Sequence, residues 1–177
     1  MEITFTKTGA RSYEVLARRD DKVVIRVRTP DRPAGLPHDM AHYLVERGLG
    51  IERGFWGAVA AGAVFESMEV VSGRRPPHAA ARSKALIKAE YRQLATAELY
   101  VSVIQTIARE GRERDWAYVN ACLDDVWRPF RGPRKAVTRE GVLSVCESLR
   151  EAEKEWRELP VGESVTVSWR LTPKRRK

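Results

Sequence analysis

Residues 2–28, EITFTKTGARSYEVLARRDDKVVIRVR, decide the fold. Ile3 and Phe5 alternate with Glu2, Thr4 and Thr6. Tyr13, Val15 and Ala17 alternate with Ser12, Glu14 and Leu16, and Val23, Ile25 and Val27 share a face opposite Arg26 and Arg28. A strand turns successive side chains to opposite faces, so this period of two gives each of three strands one apolar face. Gly9-Ala10-Arg11 and Asp20-Asp21 lie between the runs as turns too short for a crossover. The three strands therefore form an antiparallel meander.

A matching strand lies near the other end, where Val165, Val167, Trp169 and Leu171 alternate with Thr166, Ser168 and Arg170. Pro160-Val161-Gly162 precedes it and Pro173 stops it. Between the two ends the period becomes helical. Pro30 to Pro37 reads as a loop, and a helix follows from about His38 to Gly48, with Pro37 pre-setting its first turn. Phe55 to Met68 reads as a small-residue helix. His78 to Glu110 reads as one long helix carrying Leu86, Ala89, Ala97, Val101, Ile104 and Ala108 at helical spacing. Trp116 to Trp127 and Thr138 to Leu159 give two more, the last with Thr138 as its cap. The expected architecture is an α+β domain: a roughly four-stranded antiparallel sheet, three N-terminal strands plus one C-terminal strand, packed against several helices. Residues 1–173 read as one such domain, followed by a basic, disordered tail at 174–177.

Composition narrows the function classes. The chain has 177 residues, 43% of them hydrophobic, enough to bury a core. No run approaches the roughly 18 apolar residues of a membrane span, so no membrane role is expected. Met1-Glu2-Ile3-Thr4 lacks the basic and apolar blocks of a secretory leader. Two cysteines, Cys122 and Cys146, allow neither a disulfide framework nor a cysteine zinc site. A reduced, cytoplasmic setting is expected. The net charge of +8 points to an anionic partner, and its placement matters. Lys174, Arg175, Arg176 and Lys177 hold four of the positive charges; Arg128, Arg131, Arg134 and Lys135 form a second cluster among Pro129, Gly132 and Pro133. These eight residues are the candidates for binding an acidic protein or nucleic acid.

The chemistry concentrates in Pro37-His38-Asp39-Met40-Ala41-His42-Tyr43-Leu44-Val45-Glu46. At about 100° per residue, His38, His42 and Glu46 fall at roughly 0°, 40° and 80°, one stripe bordering the apolar face of Ala41, Val45 and Leu49. Two neutral imidazoles at i and i+4 can reach one Zn²⁺ or another divalent metal, with a carboxylate completing or orienting the set. His38, His42 and Glu46 are accordingly the metal candidates, with Glu66 and His78 as further third ligands. The order His-Asp-x-x-His resembles the His-Glu-x-x-His signature of zinc metallopeptidases, and Asp39 stands where the general base would be. Asp is one methylene shorter than Glu, so base catalysis by Asp39 is the weakest element of the match. The plainer alternative is structural: Pro37-His38-Asp39 as a helix start and His42 as a hydrogen-bonded residue at the core edge. Two function classes follow: a small metal-binding domain open to hydrolytic chemistry, and a non-catalytic interaction protein using its basic loop and tail.

Other features weigh less. Gly54, Gly57 and Gly62 lack the Lys-Ser/Thr of a phosphate loop and suit close packing. Asp124 and Asp125 point about 100° apart on a helix. Ile3-Thr4-Phe5-Thr6, the segment Leu36 to Glu46, and Leu159-Pro160-Val161-Gly162-Glu163 leading to Thr166-Val167-Ser168-Trp169 resemble a family of bacterial, largely actinobacterial, hypothetical proteins. That resemblance implies a shared fold and no particular activity.

Overall fold

The computed structural model describes residues 1–27 and 35–170. Leu171, Pro173, the basic tail, and most of the Pro30–Pro37 loop lie outside the described residues. The meander forms as its alternation requires: β1 (Glu2–Lys7), β2 (Tyr13–Arg18) and β3 (Val24–Val27) pair antiparallel in sequence. Ile3 lies opposite Ala17 and Phe5 opposite Val15, all four fully buried. Among the described residues six helices follow: α1 (His38–Gly48), α2 (Phe55–Ala60), α3 (Ala79–Ala89), α4 (Tyr91–Glu110), α5 (Trp116–Trp127) and α6 (Arg139–Glu158). The C-terminal strand, β5 (Ser164–Ser168), returns to pair antiparallel with β1, as its alternation implies.

The sheet has five strands, not four. Met68–Ser72 forms β4, between α2 and α3, and the order is β4-β3-β2-β1-β5. The helix expected over Phe55 to Met68 stops at Ala60, and Gly62 turns the chain at φ +115°. Met68 and Val70 then pair with Val27 and Ile25. Met68-Glu69-Val70-Val71 breaks alternation at its two adjacent valines, so sequence periodicity does not separate it from a helix end. The long helix expected from His78 to Glu110 is two, α3 and α4, meeting at Glu90. No glycine or proline marks the break; the Glu90 carboxylate is held by Arg53 from the α1–α2 loop.

Two apolar cores share α1. Met40 and Tyr43 pack with Trp56, Trp156 and the inner sheet face. Ala41, Val45 and Leu49 pack with Tyr100, Val101 and Ile104 of α4 and Val142 and Val145 of α6. The helix thus fills two of its three faces with core, and its third stripe, His38, His42 and Glu46, turns toward α2 and α4. Cys122 and Cys146 are free thiols, the latter buried. Among the described residues no helix is long and apolar enough to cross a membrane.

Caps finish the helices. Thr138 Oγ1 accepts from the Gly141 amide at 3.1 Å, as its position suggests. Lys7 crosses from β1 to the end of α6, where its ammonium donates to the carbonyls of Trp156, Arg157 and Leu159 at 3.0, 3.1 and 2.7 Å. A cation on the carbonyl end of a helix complements both the unpaired oxygens and the dipole. Lys7→Met is expected to lower stability by about 1–2 kcal/mol in denaturant unfolding. An unchanged midpoint would mean that the β5–β1 pairing alone seats α6.

Candidate metal centre

Glu46 sets the geometry of this site. It is fully buried, and one carboxylate oxygen, Oε1, lies 2.9 Å from His42 Nδ1. The same carboxylate accepts from the main-chain amides of Phe55 (2.8 Å) and Trp56 (3.1 Å), the open N-terminal turn of α2. Gly54 makes the approach feasible, since a Cβ there would fall 2.5 Å from the Glu46 carboxyl carbon. A carboxylate accepts and does not donate when ionised, so Nδ1 of His42 carries the hydrogen of that contact. The other ring nitrogen, Nε2, is thereby directed to the opposite side. Phe55 covers the imidazole, with ring centroids 5.4 Å apart.

On that opposite side three atoms converge. His38 Nε2 lies 3.2 Å from His42 Nε2. Glu98 Oε2, from α4, lies 3.5 Å from His42 Nε2 and 3.8 Å from His38 Nε2. These three residues form a group able to hold a metal ion. The point equidistant from the three corners lies about 2.0 Å from each, the length of a zinc–nitrogen or zinc–oxygen bond. Tetrahedral zinc separates its ligand atoms by about 3.4 Å, within the observed spread. His42 is 2% exposed while the Glu98 side chain is 61% exposed, so the group is anchored in the core and open to solvent on one side.

The structure thus brings His38 and His42 together and places two carboxylates around them. Glu46 lies on the Nδ1 side of His42 and orients the ring. The third corner is Glu98, and sequence reasoning missed it. Glu66 and His78 are exposed and outside the group. Asp39 is also elsewhere: its Oδ2 accepts from the Tyr13 hydroxyl at 3.0 Å, and its main-chain carbonyl accepts from Trp56 Nε1 at 2.8 Å. One signal for Glu98 was present. It sits beside Ala97 in the α4 stripe Ala97, Val101, Ile104, an acid at the border of an otherwise apolar face.

Electrostatics favour a cation at this point. Burial opposes charge on His42, but the hydrogen bonds and charges of Glu46 and Glu98 outweigh it and raise the imidazole from 6.5 to about 9. His38 and His42 hold the Glu98 carboxyl well below the usual carboxylate range, against the pull of partial burial. Burial pushes the Glu46 carboxyl up, against the hydrogen bonds from His42 and the amides of Phe55 and Trp56. Two carboxyl groups thus flank two imidazoles, and a proton or a metal ion between the rings offsets their negative charge.

In the basic loop, Arg128 pairs with Asp125 and Arg134 with Asp124, and Arg134 also donates to Asn120. Arg131 and Lys135 have no carboxylate partner among the described residues. Compared with protein-family models, with curated proteins and with solved structures, the chain matches none.

The sign of the pH dependence follows from the raised imidazole. In chelator-treated protein, stability from protonated His42 is full below its ordinary value of 6.5 and is lost as pH rises through about 9. His38, Glu46 and Glu98 are the ionisable groups facing the ring from α1 and α4, and α2 contributes Phe55. The loss is on the order of 2–3 kcal/mol, allowing for screening of exposed Glu98. Denaturant midpoints measured from pH 6 to 10 should fall, and His42→Gln should flatten the curve. A wild-type curve that is already flat would show that the ring does not hold its proton between the carboxylates.

Proposed function

We propose that this protein is a small metal-binding domain in which His38, His42 and Glu98 hold a divalent ion, zinc fitting best, and in which the bound metal serves hydrolytic chemistry. What carries the reading is the convergence of two imidazole nitrogens and a carboxylate oxygen on one point at bonding distance. Glu46 supports it: metal-ligating histidines commonly donate their second ring N–H to a carboxylate, which fixes the tautomer and the ring plane. A divalent ion with three protein ligands and an open fourth position supplies Lewis acidity and a water acidified towards neutral pH. The half-exposed side of the group, at Glu98 and His38, leaves room for that position. Asp39 has no part in this proposal, because its carboxylate is engaged with Tyr13.

The full-length chain, purified without a tag, incubated with zinc and desalted, should retain close to one zinc per chain by elemental analysis. Glu98→Ala and His38→Ala, both at the open side, should lose it while keeping the far-UV spectrum. Glu46→Gln should retain the ligands but weaken affinity about 10–100-fold. A wild-type chain that takes up no zinc, manganese or iron would end this reading.

A second reading, binding of nucleic acid through a basic surface, is favoured by a different observation. Residues 70–89 contain no acid and five cations: Arg74, Arg75, Arg82, Lys84 and Lys88. They lead into and along α3, whose only buried residue is Ser83. Tyr91 follows at 68% exposure, and Arg92 donates to the carbonyls of Arg131 and Pro133, joining this surface to the basic loop. Cations flanking an exposed ring suit a phosphate backbone with an accessible base. Replacing Arg82, Lys84 and Lys88 with Gln should weaken retention on duplex or single-stranded DNA and lower the salt slope by about 2–3. Retention unchanged by the triple substitution would exclude this surface.

A further inference from the structure

A cleft of about 650 Å³ opens where α1 begins, bounded by the β1–β2 turn, α4 and α6. This volume lies in the range of small-molecule sites. Its body is apolar and aromatic, from Tyr13, Leu36, Leu149 and Trp156, the two rings meeting edge to face at 6.1 Å. Its charged lining is Arg11, Arg109, Arg150 and Glu153. Two of these are already neutralised: Arg150 donates to Glu113 at 2.7 Å, and Glu153 faces Arg157 at 3.6 Å. The other two are not. Arg109 donates only to the Gln105 carbonyl and the Thr106 hydroxyl, and Arg11 meets no carboxylate among the described residues. Among the described residues the cleft therefore carries two guanidinium groups without an ion-pair partner beside an apolar floor. His38, one corner of the metal group, also lines it.

We propose that this cleft binds a small organic anion, an oxyanion head on an apolar body, with Arg11 and Arg109 holding the head and His38 marking the end nearest the metal. The placement of the reacting end rests on the metal reading above; the recognition of the anion does not. A guanidinium fork matches the oxygens of a carboxylate or phosphate, and the Tyr13–Trp156 wall accommodates the apolar part. Arg109 lies eleven residues beyond Glu98 on the same helix, roughly 16 Å along its axis before the side chain reaches back. A molecule touching both ends is thus extended and larger than an inorganic ion, which sets the substrate class as an anionic molecule whose charged head lies away from the bond attacked.

The test is calorimetric titration of the full chain with phenyl phosphate, phenylacetate and the neutral phenylacetamide, each in EDTA and with one equivalent of zinc. At least one of the two anions should bind, phenylacetamide should bind at least tenfold more weakly, and Arg11→Gln/Arg109→Gln should weaken the anion tenfold or more. Both arginines are exposed, so the double variant should fold, as circular dichroism checks; Arg109→Lys, which keeps the charge but loses the fork, should bind more weakly than the wild type and more tightly than Arg109→Gln. The stronger of the two anions identifies the head group. Phenylacetamide binding as tightly as the anions, no binding of either anion, or an unaffected double variant would overturn the proposal. Anion binding in a chain that takes up no zinc would remove the metal reading and leave this one standing. Zinc uptake without anion binding would do the reverse.

Discussion

The buried carboxylate of Glu46 constrains the functional half of this molecule. A charge in the protein interior is tolerated only where donors replace its lost hydration. Here three donors do so: His42 Nδ1 and the amides of Phe55 and Trp56. The same contacts have two structural effects. They seat the first turn of α2 against the middle of α1, and they fix the plane and tautomer of His42. Scaffold and site are thereby joined in one hydrogen-bond cluster, so rotation of the imidazole would leave a buried acid short of a partner.

The period-two runs at the chain ends were enough to give the α+β class and the meander, because β1, β2 and β3 lie inside the sheet and bury one face, and the return of β5 to β1, because that edge strand still alternates strictly, Val165 and Val167 against Ser164, Thr166 and Ser168. The edge strand β4 was not legible. It has one neighbour and two half-exposed faces, and its local pattern is no stronger than the end of a short helix. The break at Glu90 was hidden for another reason: it is held by Arg53, a partner 37 residues away. The candidate site divides along the same line. His38, His42 and Glu46 share one helix, so their common stripe followed from 3.6 residues per turn. Glu98 lies 52 residues beyond Glu46 on a different helix, and only the packing of α1 on α4 brings it near. Spacing also left open whether Glu46 completes the set or orients it; the Nδ1 contact places its carboxylate behind the His42 ring.

Charge is distributed unevenly between the His38–His42–Glu98 group and the cleft beside it. Around the imidazoles the balance is acidic, with Glu46 and Glu98 facing two rings, and it attracts a cation. Three turns on along α4 and across in the β1–β2 turn the balance reverses, because Arg109 and Arg11 have no ion-pair partner among the described residues. Adjacent fields of opposite sign would orient a ligand that carries a negative head and a polarisable bond. The exposed arginines and lysines of α3 are a separate region, joined to the basic loop through Arg92 rather than to the cleft.

Gly54 offers no side chain to a metal, yet it makes room for the carboxylate that orients His42. Its missing side chain is the volume that the Glu46 carboxylate occupies, with Ala97 closing the other side. Even a methyl group there would collide with the acid and with the residue next to Glu98. Tolerance to substitution should therefore be low at a position with no side chain of its own, and a survey of viable sequence changes should mark this glycine as well as the residues it lets meet.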